Sequence, residues 1–272
     1  MCCAEGLPRL SVITGAWQIA DLAVLQKAVD SVLTQTMGDF EWIICDDGST
    51  DETFQVLTDL AGRDSRIRLI RNDQNLGLAA SLNHCLEYAR GELIARQDAD
   101  DVSDPRRFEK QIAFLDSHPE VDFVGSNVTL WDEAGPWRER QFPAHPQPKD
   151  FRFTMPFVHG ALMFRRGALD RVEGYRVAKE TRRAEDYDML MRMYAAGLRG
   201  ANLQEPLYAF LEDRAAQKRR KYRYRLDEVV VRWKGFSRLG LLPGALPYVL
   251  KPLVVGLIPH RLLKKLRQRK KF

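Results

Sequence analysis

Cysteine is scarce, with four in 272 residues: Cys2 and Cys3 adjoin at the terminus, and Cys45 and Cys85 stand alone in apolar runs. None has metal-ligand spacing, and a chain this long buries enough core to fold without disulfides, so a reducing compartment is expected. The opening MCCAEGLPRL has no apolar segment of the kind a secretory leader needs. An uninterrupted apolar run of roughly 20 residues, enough to cross a bilayer, is also missing. The nearest candidate, Leu239 to Pro259, is broken by Pro243, Pro247, Pro252 and Pro259 and carries Lys251. Repeats and low-complexity linkers are absent, and 45% hydrophobic with 29% charged residues excludes disordered and collagenous chains. Acids are missing from two stretches, 214–225 and 261–272, each of which holds seven basic side chains. The whole chain is only +5, so the rest is an acidic body. A basic C-terminal quarter on an acidic body, with no nucleic-acid motif, suits an anionic surface better than a nucleic acid.

What is present is a strand–helix alternation. Leu10–Thr14, Glu41–Cys45, Ile67–Arg71, Glu92–Gln97 and Val121–Ser126 read as strands. Between them, Leu22, Leu25, Val29, Val32 and Leu33 recur at helical steps, and helices also fit 52–62, 78–90 and 105–117. Gly38, Gly62 and Gly91 sit near the ends of these stretches, where left-handed glycines are expected. Such alternation predicts βαβ units and a mostly parallel sheet flanked by helices. Residues 132–158, rich in Pro, Gly and charge, read as loop. Ala161–Arg165 reads as a strand, 184–196 as a helix carrying Tyr187, Leu190, Met191 and Tyr194, and 215–238 as a basic helix.

In a parallel sheet, ligands bind beyond the carboxyl ends of the strands. Two strands run into acid clusters there: Asp46-Asp47-Gly48-Ser49-Thr50-Asp51 and Asp98-Ala99-Asp100-Asp101. Carboxylates converging on one edge repel unless a cation joins them, and Mg²⁺ or Mn²⁺ bound with a substrate's phosphates would serve. Asp46 and Asp51 also suit turn and cap roles, and Asp101 and Asp104 structural ones.

The ordered motifs LSVIT, SVLTQTMGDFEWIICDDGSTDET, NLGLAASLNHCLEYARGELIARQDADD, PRRFEKQIAFL, HGALMFRR and EDYDMLMRM resemble family-2 glycosyltransferases with the GT-A nucleotide-sugar fold, over roughly residues 10 to 210. The resemblance implies that Asp47 hydrogen-bonds the nucleotide base. It implies that Asp98 and Asp100 form the DxD pair, Asp98 toward ribose or metal and Asp100 as direct ligand of Mn²⁺ or Mg²⁺. Asp186 matches the general base, although an acid at a helix start also suits the dipole. His159 falls where members carry a polar residue toward diphosphate or acceptor, or is a satisfied core histidine. Members usually end the first strand in Pro-Val-Tyr-Asn; here Gly15-Ala16-Trp17-Gln18 stands instead, and Trp17 either stacks on the base or packs inside. The QxxRW of processive members has no full counterpart, since Gln217 and Arg220 are followed by Lys221, which implies one transfer per encounter.

The residues suit the same chemistry. Displacement at an anomeric carbon needs a base for the acceptor hydroxyl and stabilisation of the departing diphosphate. One base opposite the leaving group gives inversion, and no covalent nucleophile is required. The expected architecture is a GT-A domain over 1–212, its donor half about 8–131 and acceptor half about 132–212. A basic, partly apolar helical appendage over 213–272 follows. Leu262, Leu263 and Leu266 lie on one side among Arg and Lys, so attachment to the inner face of a membrane is expected. The expected partners are a nucleotide-sugar donor, UDP-linked foremost, and a glycan or lipid-linked acceptor. The rivals are a nucleotidyltransferase, which lacks its Gly-rich phosphate loop here, and a silent binding module.

Overall fold

The computed structural model describes residues 6–132, 135–211 and 222–257. Four strands form a parallel half-sheet in the order β3-β2-β1-β4: β1 (Leu10–Ala16), β2 (Phe40–Asp46), β3 (Ile67–Arg71) and β4 (Leu93–Arg96). They are joined by α1 (Leu22–Leu33), α2 (Thr53–Ala61) and α3 (Leu78–Tyr88), with α4 (Arg107–Ser117) following. Alternation along the strands fills both faces. Leu10, Val12, Trp42 and Ile44 meet Leu25, Val29, Leu57, Leu60, Phe108 and Leu115 of α1, α2 and α4. On the other face Ile13, Ile43 and Cys45 meet Leu82 and Cys85 of α3. Strands buried on both sides read as continuous apolar runs, which is why LSVIT and EWIIC were legible. Both cysteines are buried and free, as small apolar residues. Asp21 starts α1 by accepting the Ala23 and Val24 N–H groups at 2.9 and 3.2 Å.

The second half of the sheet is mixed. β8 (Met163–Arg165) is antiparallel to β4 and to β6 (Phe123–Asp132), and β6 runs parallel to β9 (Gly200–Leu211). β5 (Val102–Ser103) pairs antiparallel with β9 at the edge. The stretch expected as loop over 132–158 contains β7 (Gly135–Arg140), antiparallel to β6, and a 3₁₀ turn over Pro148–Arg152. From Pro136 to Arg140 the side chains of β7 stand exposed, so no apolar period marks it. The glycine expectation is also corrected: Gly62 has φ −70°, and neither Gly38 nor Gly91 is among the glycines of positive φ. Gly91 is instead a close approach, since a Cβ there would lie 2.5 Å from Ser11 N.

After α5 (Arg166–Arg171) and α6 (Glu185–Ala195) come α7 (Arg223–Arg238) and α8 (Leu246–Leu257). Val231, Phe236, Ala245 and Val249 share a buried cluster with Met189, Leu190 and Met193 of α6. The described part of the C-terminal region is therefore built into the main core rather than appended to it. Cys2 and Cys3, the first part of the expected 215–238 helix with Gln217, Arg220 and Lys221, and the tail bearing Leu262, Leu263 and Leu266 lie outside the described residues. No described helix is long and apolar enough to cross a membrane.

Candidate active site

The carboxyl ends of β2, β1 and β4 lie side by side, so the residues after them share one edge of the sheet. In the turn after β2, Asp46 accepts the Ser49 N–H at 3.1 Å and pairs with Arg71 at 3.1 Å. Asp51 accepts the Thr53 N–H at 3.0 Å. Both take turn and cap roles, as expected. Gly48 has φ +66°, and a Cβ there would meet the Gln74 backbone at 2.5 Å, so the turn requires glycine twice over.

Asp47 is buried, and its N–H donates to the Ala16 carbonyl at 2.8 Å. Its carboxylate accepts Asn72 Nδ2 at 2.8 Å and the N–H groups of Leu76 and Gly77 at 2.9 and 2.8 Å. It thereby pins the 72–77 loop to the end of β2. A carboxylate offers about four acceptor positions, so one remains for a further donor. Trp17, just past β1, is 50% exposed and stands at the rim rather than inside. The backbone turns sharply after it: Gln18 has φ 45° and donates its N–H to Ser49 Oγ at 3.0 Å.

At the end of β4 a fully buried arginine, Arg96, pairs with Asp98. The Asp98 N–H donates to the Tyr208 hydroxyl at 3.1 Å. Gly160 closes the other side. A Cβ on it would fall 2.6 Å from Asp98 Oδ2 and inside the Tyr208 hydroxyl. Gly160→Ala should therefore cost about 1–3 kcal/mol of stability by overpacking and reduce turnover by displacing Asp98. A variant with wild-type melting and wild-type turnover would show that this contact is slack.

His159 is buried, with Nε2 2.8 Å from the Tyr175 hydroxyl. Burial and the nearby Arg96 charge hold its pKa well below the ordinary value, so the imidazole is neutral. Tyr175 is itself clamped at its backbone by Asn83, at 2.9 and 2.7 Å. Asp100 is exposed at the rim, whereas Asp101 is buried and accepts the Leu211 N–H at 2.7 Å. Burial and the charges of Asp98 and Asp100 push Asp101 well above the carboxylate range.

Asp186 lies in the first turn of α6 and accepts the Tyr187 N–H at 2.7 Å. Burial, aided by the charge of Asp98, pushes its carboxyl up to about 6. Glu185 beside it goes up to about 8, through burial and the charge of Asp186. Arg96 pulls both back. Glu185 and Asp186 at the start of α6 thus feel the charges of Asp98 and Arg96 at the end of β4, while Trp17 and Asp47 stand at the neighbouring strand ends. Two adjacent carboxyl groups pushed upward by burial and by neighbouring acids form a pattern that marks acid–base sites.

Among the described residues no group of three or more His, Cys, Asp or Glu side chains is gathered for a metal. Asp98 and Asp100 are hard oxygen donors, and their combined charge is felt at Asp101. This donor set fits Mg²⁺ or Mn²⁺ held through one or two carboxylates, with a ligand's phosphates and water completing the shell. Sequence reasoning missed Arg96, Tyr175, Gly160 and Tyr208. Arg96 carried a signal, a charged residue inside an apolar strand; Tyr208 carried none, because β9 shows no clean alternation.

A model for glycosyl transferase family 2 matches residues 11–173, and one for glycosyl transferase family group 2 matches 93–264. The putative glycosyltransferase EpsE of Bacillus subtilis is 40% identical over 264 residues, spanning 97% of this chain and 94% of that protein. The amylovoran biosynthesis glycosyltransferase AmsE of Erwinia amylovora is 29% identical, covering 88% and 91%. Among solved structures, residues 1–349 of S. aureus TarS with UDP superpose with a TM-score of 0.67 at 17% identity, covering 94% of this chain and 77% of that one. The mannosyltransferase PcManGT of Pyrobaculum calidifontis, with GDP-Man and Mn²⁺, gives 0.59 at 18% identity, covering 97% and 80%. The likeness to these two establishes the GT-A type of fold, and with a family model spanning more than half of its length the chain belongs to glycosyl transferase family 2.

Proposed function

We propose that the protein is an inverting, metal-dependent glycosyltransferase. It moves one sugar per encounter from a nucleoside-diphosphate sugar, UDP-linked foremost, to a hydroxyl of a glycan or lipid-linked acceptor in cell-surface polysaccharide synthesis. The observation that carries the reading is Asp186, a carboxyl in the first turn of α6 that burial, with the charge of Asp98, raises to about 6. Asp47 accepts a donor hydrogen of the base, and the open face of Trp17 lies against the ring. Asp98 and Asp100 would hold the divalent cation, which when bound would supply positive charge to offset that of the departing diphosphate. Arg96 fixes Asp98 from beneath, and neutral His159 lines the wall toward the diphosphate. Asp186 takes the acceptor hydroxyl's proton as its oxygen attacks the anomeric carbon. With one base and no covalent nucleophile, the displacement is single and inverts configuration. The relative named for amylovoran biosynthesis supports the polysaccharide setting, and the nucleotide-bound neighbours support the donor class.

Thermal melting against UDP, GDP, dTDP and CMP, each with and without Mn²⁺ or Mg²⁺, tests the site without an acceptor. A ligand at 100 times its Kd adds about 2.7 kcal/mol, and one diphosphate acting with metal is the expected result. Unchanged melting with every nucleotide would count against the donor site.

A further inference from the structure

Half of the fourteen large apolar side chains exposed among the described residues lie on two helices, α7 and α8, or at Tyr222 just before α7. Tyr222, which precedes α7, forms one stripe with Leu226, Val230 and Trp233, at helical steps of three and four. Leu246, Leu250 and Val254 form a second stripe along α8, and all seven residues are 40–60% exposed.

The helices run antiparallel and tightly packed. A Cβ on Gly256 would meet the Tyr222 ring at 2.9 Å and Arg225 at 3.1 Å, while Arg232 donates to the Tyr248 carbonyl at 3.4 Å. Val231 and Phe236 of α7, with Ala245 and Val249, occupy the inner side, in the core. The two exposed stripes therefore adjoin across the seam, on the side away from the core. A contiguous outward apolar face with an indole and a phenol is a surface built to be covered.

Charge selects what covers it. Residues 222–257 hold six basic side chains and two acidic ones, and 261–272, which follow α8 in the chain, hold seven basic and no acidic residues. By sequence this end of the chain is net cationic, although Arg225 and Arg232 pair with Glu228 and Lys234 with Glu180, so a second copy seated on this face would bring like charge together. An anionic lipid surface neutralises that charge, while Trp233 and Tyr222 suit the headgroup level. We propose that the outer face of the α7–α8 hairpin lies on an anionic membrane surface, with Leu226, Val230, Trp233, Leu250 and Val254 entering the interface. The inference deepens the proposed function, because a lipid-linked acceptor is met at such a surface.

The test uses the full chain with vesicles of phosphatidylcholine alone and of phosphatidylcholine mixed with phosphatidylglycerol. Binding to the mixed vesicles and a blue shift of Trp233 emission are expected, the shift being lost in Trp233→Phe. The variant Leu226→Glu/Val230→Glu/Leu250→Glu leaves the inner side untouched and should bind at least tenfold more weakly, with unchanged circular dichroism. Absence of vesicle binding, or undiminished binding by the triple variant, would overturn the proposal. So would a dimer in sedimentation that the triple variant splits into monomers, since the face would then belong to a second copy. Vesicle binding needs neither donor nor acceptor, so its failure is separable from failure of nucleotide-induced melting shifts.

Discussion

Replacing Asp186 with Asn is expected to lower kcat by about 10³-fold, within the range for a lost general base, while nucleotide-induced stabilisation persists. The side chain keeps its size and its place at the start of α6, but an amide cannot take a proton. In the proposed site donor binding rests on Asp47, Trp17 and Asp98, which the substitution does not touch. Activity within a few fold of wild type, with a verified acceptor, would remove Asp186 as the base. The pH profile supplies a second reading. Asp186 serves as base only when ionised, and burial holds its carboxyl at about 6. The limb of kcat/KM should therefore rise as pH increases through about 6 and level off above it. A cation beside Asp98 cancels part of the charge that raises Asp186, so the midpoint should move down when metal is present. Glu185, held at about 8, stays largely protonated at neutral pH and contributes little opposing charge. In Asp186→Asn the surviving activity should have lost this limb.

Arg107→Ala should be the most destabilising change outside the chemistry, by about 3–5 kcal/mol, since several buried acceptors lose their donor at about 1–3 kcal/mol each. The guanidinium is fully buried at the start of α4. It donates to Gln97 Oε1 at 3.0 Å, Ser103 Oγ at 2.9 Å, Gln111 Oε1 at 3.1 Å and the Arg96 carbonyl at 2.7 Å. Alanine leaves these acceptors, and the Leu162 carbonyl at 3.4 Å, without this donor in a dry interior. At about 2–4 °C per kcal/mol for a chain of this order of size, melting should fall by about 10 °C. Lys234→Ala provides the contrast: its partner Glu180 is met at a partly exposed site, and such pairs are worth about 0–1 kcal/mol. Equal melting of the two variants would contradict the buried network.

The donor half was legible because each of its strands is buried on both faces and each helix buries one stripe, so hydropathy alone marks them. Asp47 and Asp98 were readable as strand-end residues once β2 and β4 were placed. What hydropathy could not mark was pairing made by backbone. β7 is exposed at every residue from Pro136 to Arg140, Trp137 included, so no buried face marks it, and β9 carries Gln204, Glu205 and Pro206 in its middle. The supporting shell of the site went unseen with them. Tyr208 reaches Asp98, 110 residues earlier in the sequence, only because β9 lies beside β6, and loop closure of that length leaves no local trace. Arg96 was written plainly in ELIARQ, but its ion pair with Asp98 depends on a burial that the four-residue strand does not announce.

The late position of β9 has a consequence for how the protein is made. Strands β1 to β4 can pair as soon as they leave the ribosome, since each is joined to the next by one helix. The Asp98 loop cannot settle then. Its N–H waits for the Tyr208 hydroxyl, Asp101 waits for the Leu211 N–H, and the Asp104 N–H waits for the Leu207 carbonyl. Translation must therefore pass residue 211 before Asp98, Asp101 and Asp104 have all their partners. A fragment that ends earlier carries β1 to β4 without the contacts that fix the loop after β4, so the order of that loop is tied to completion of β9.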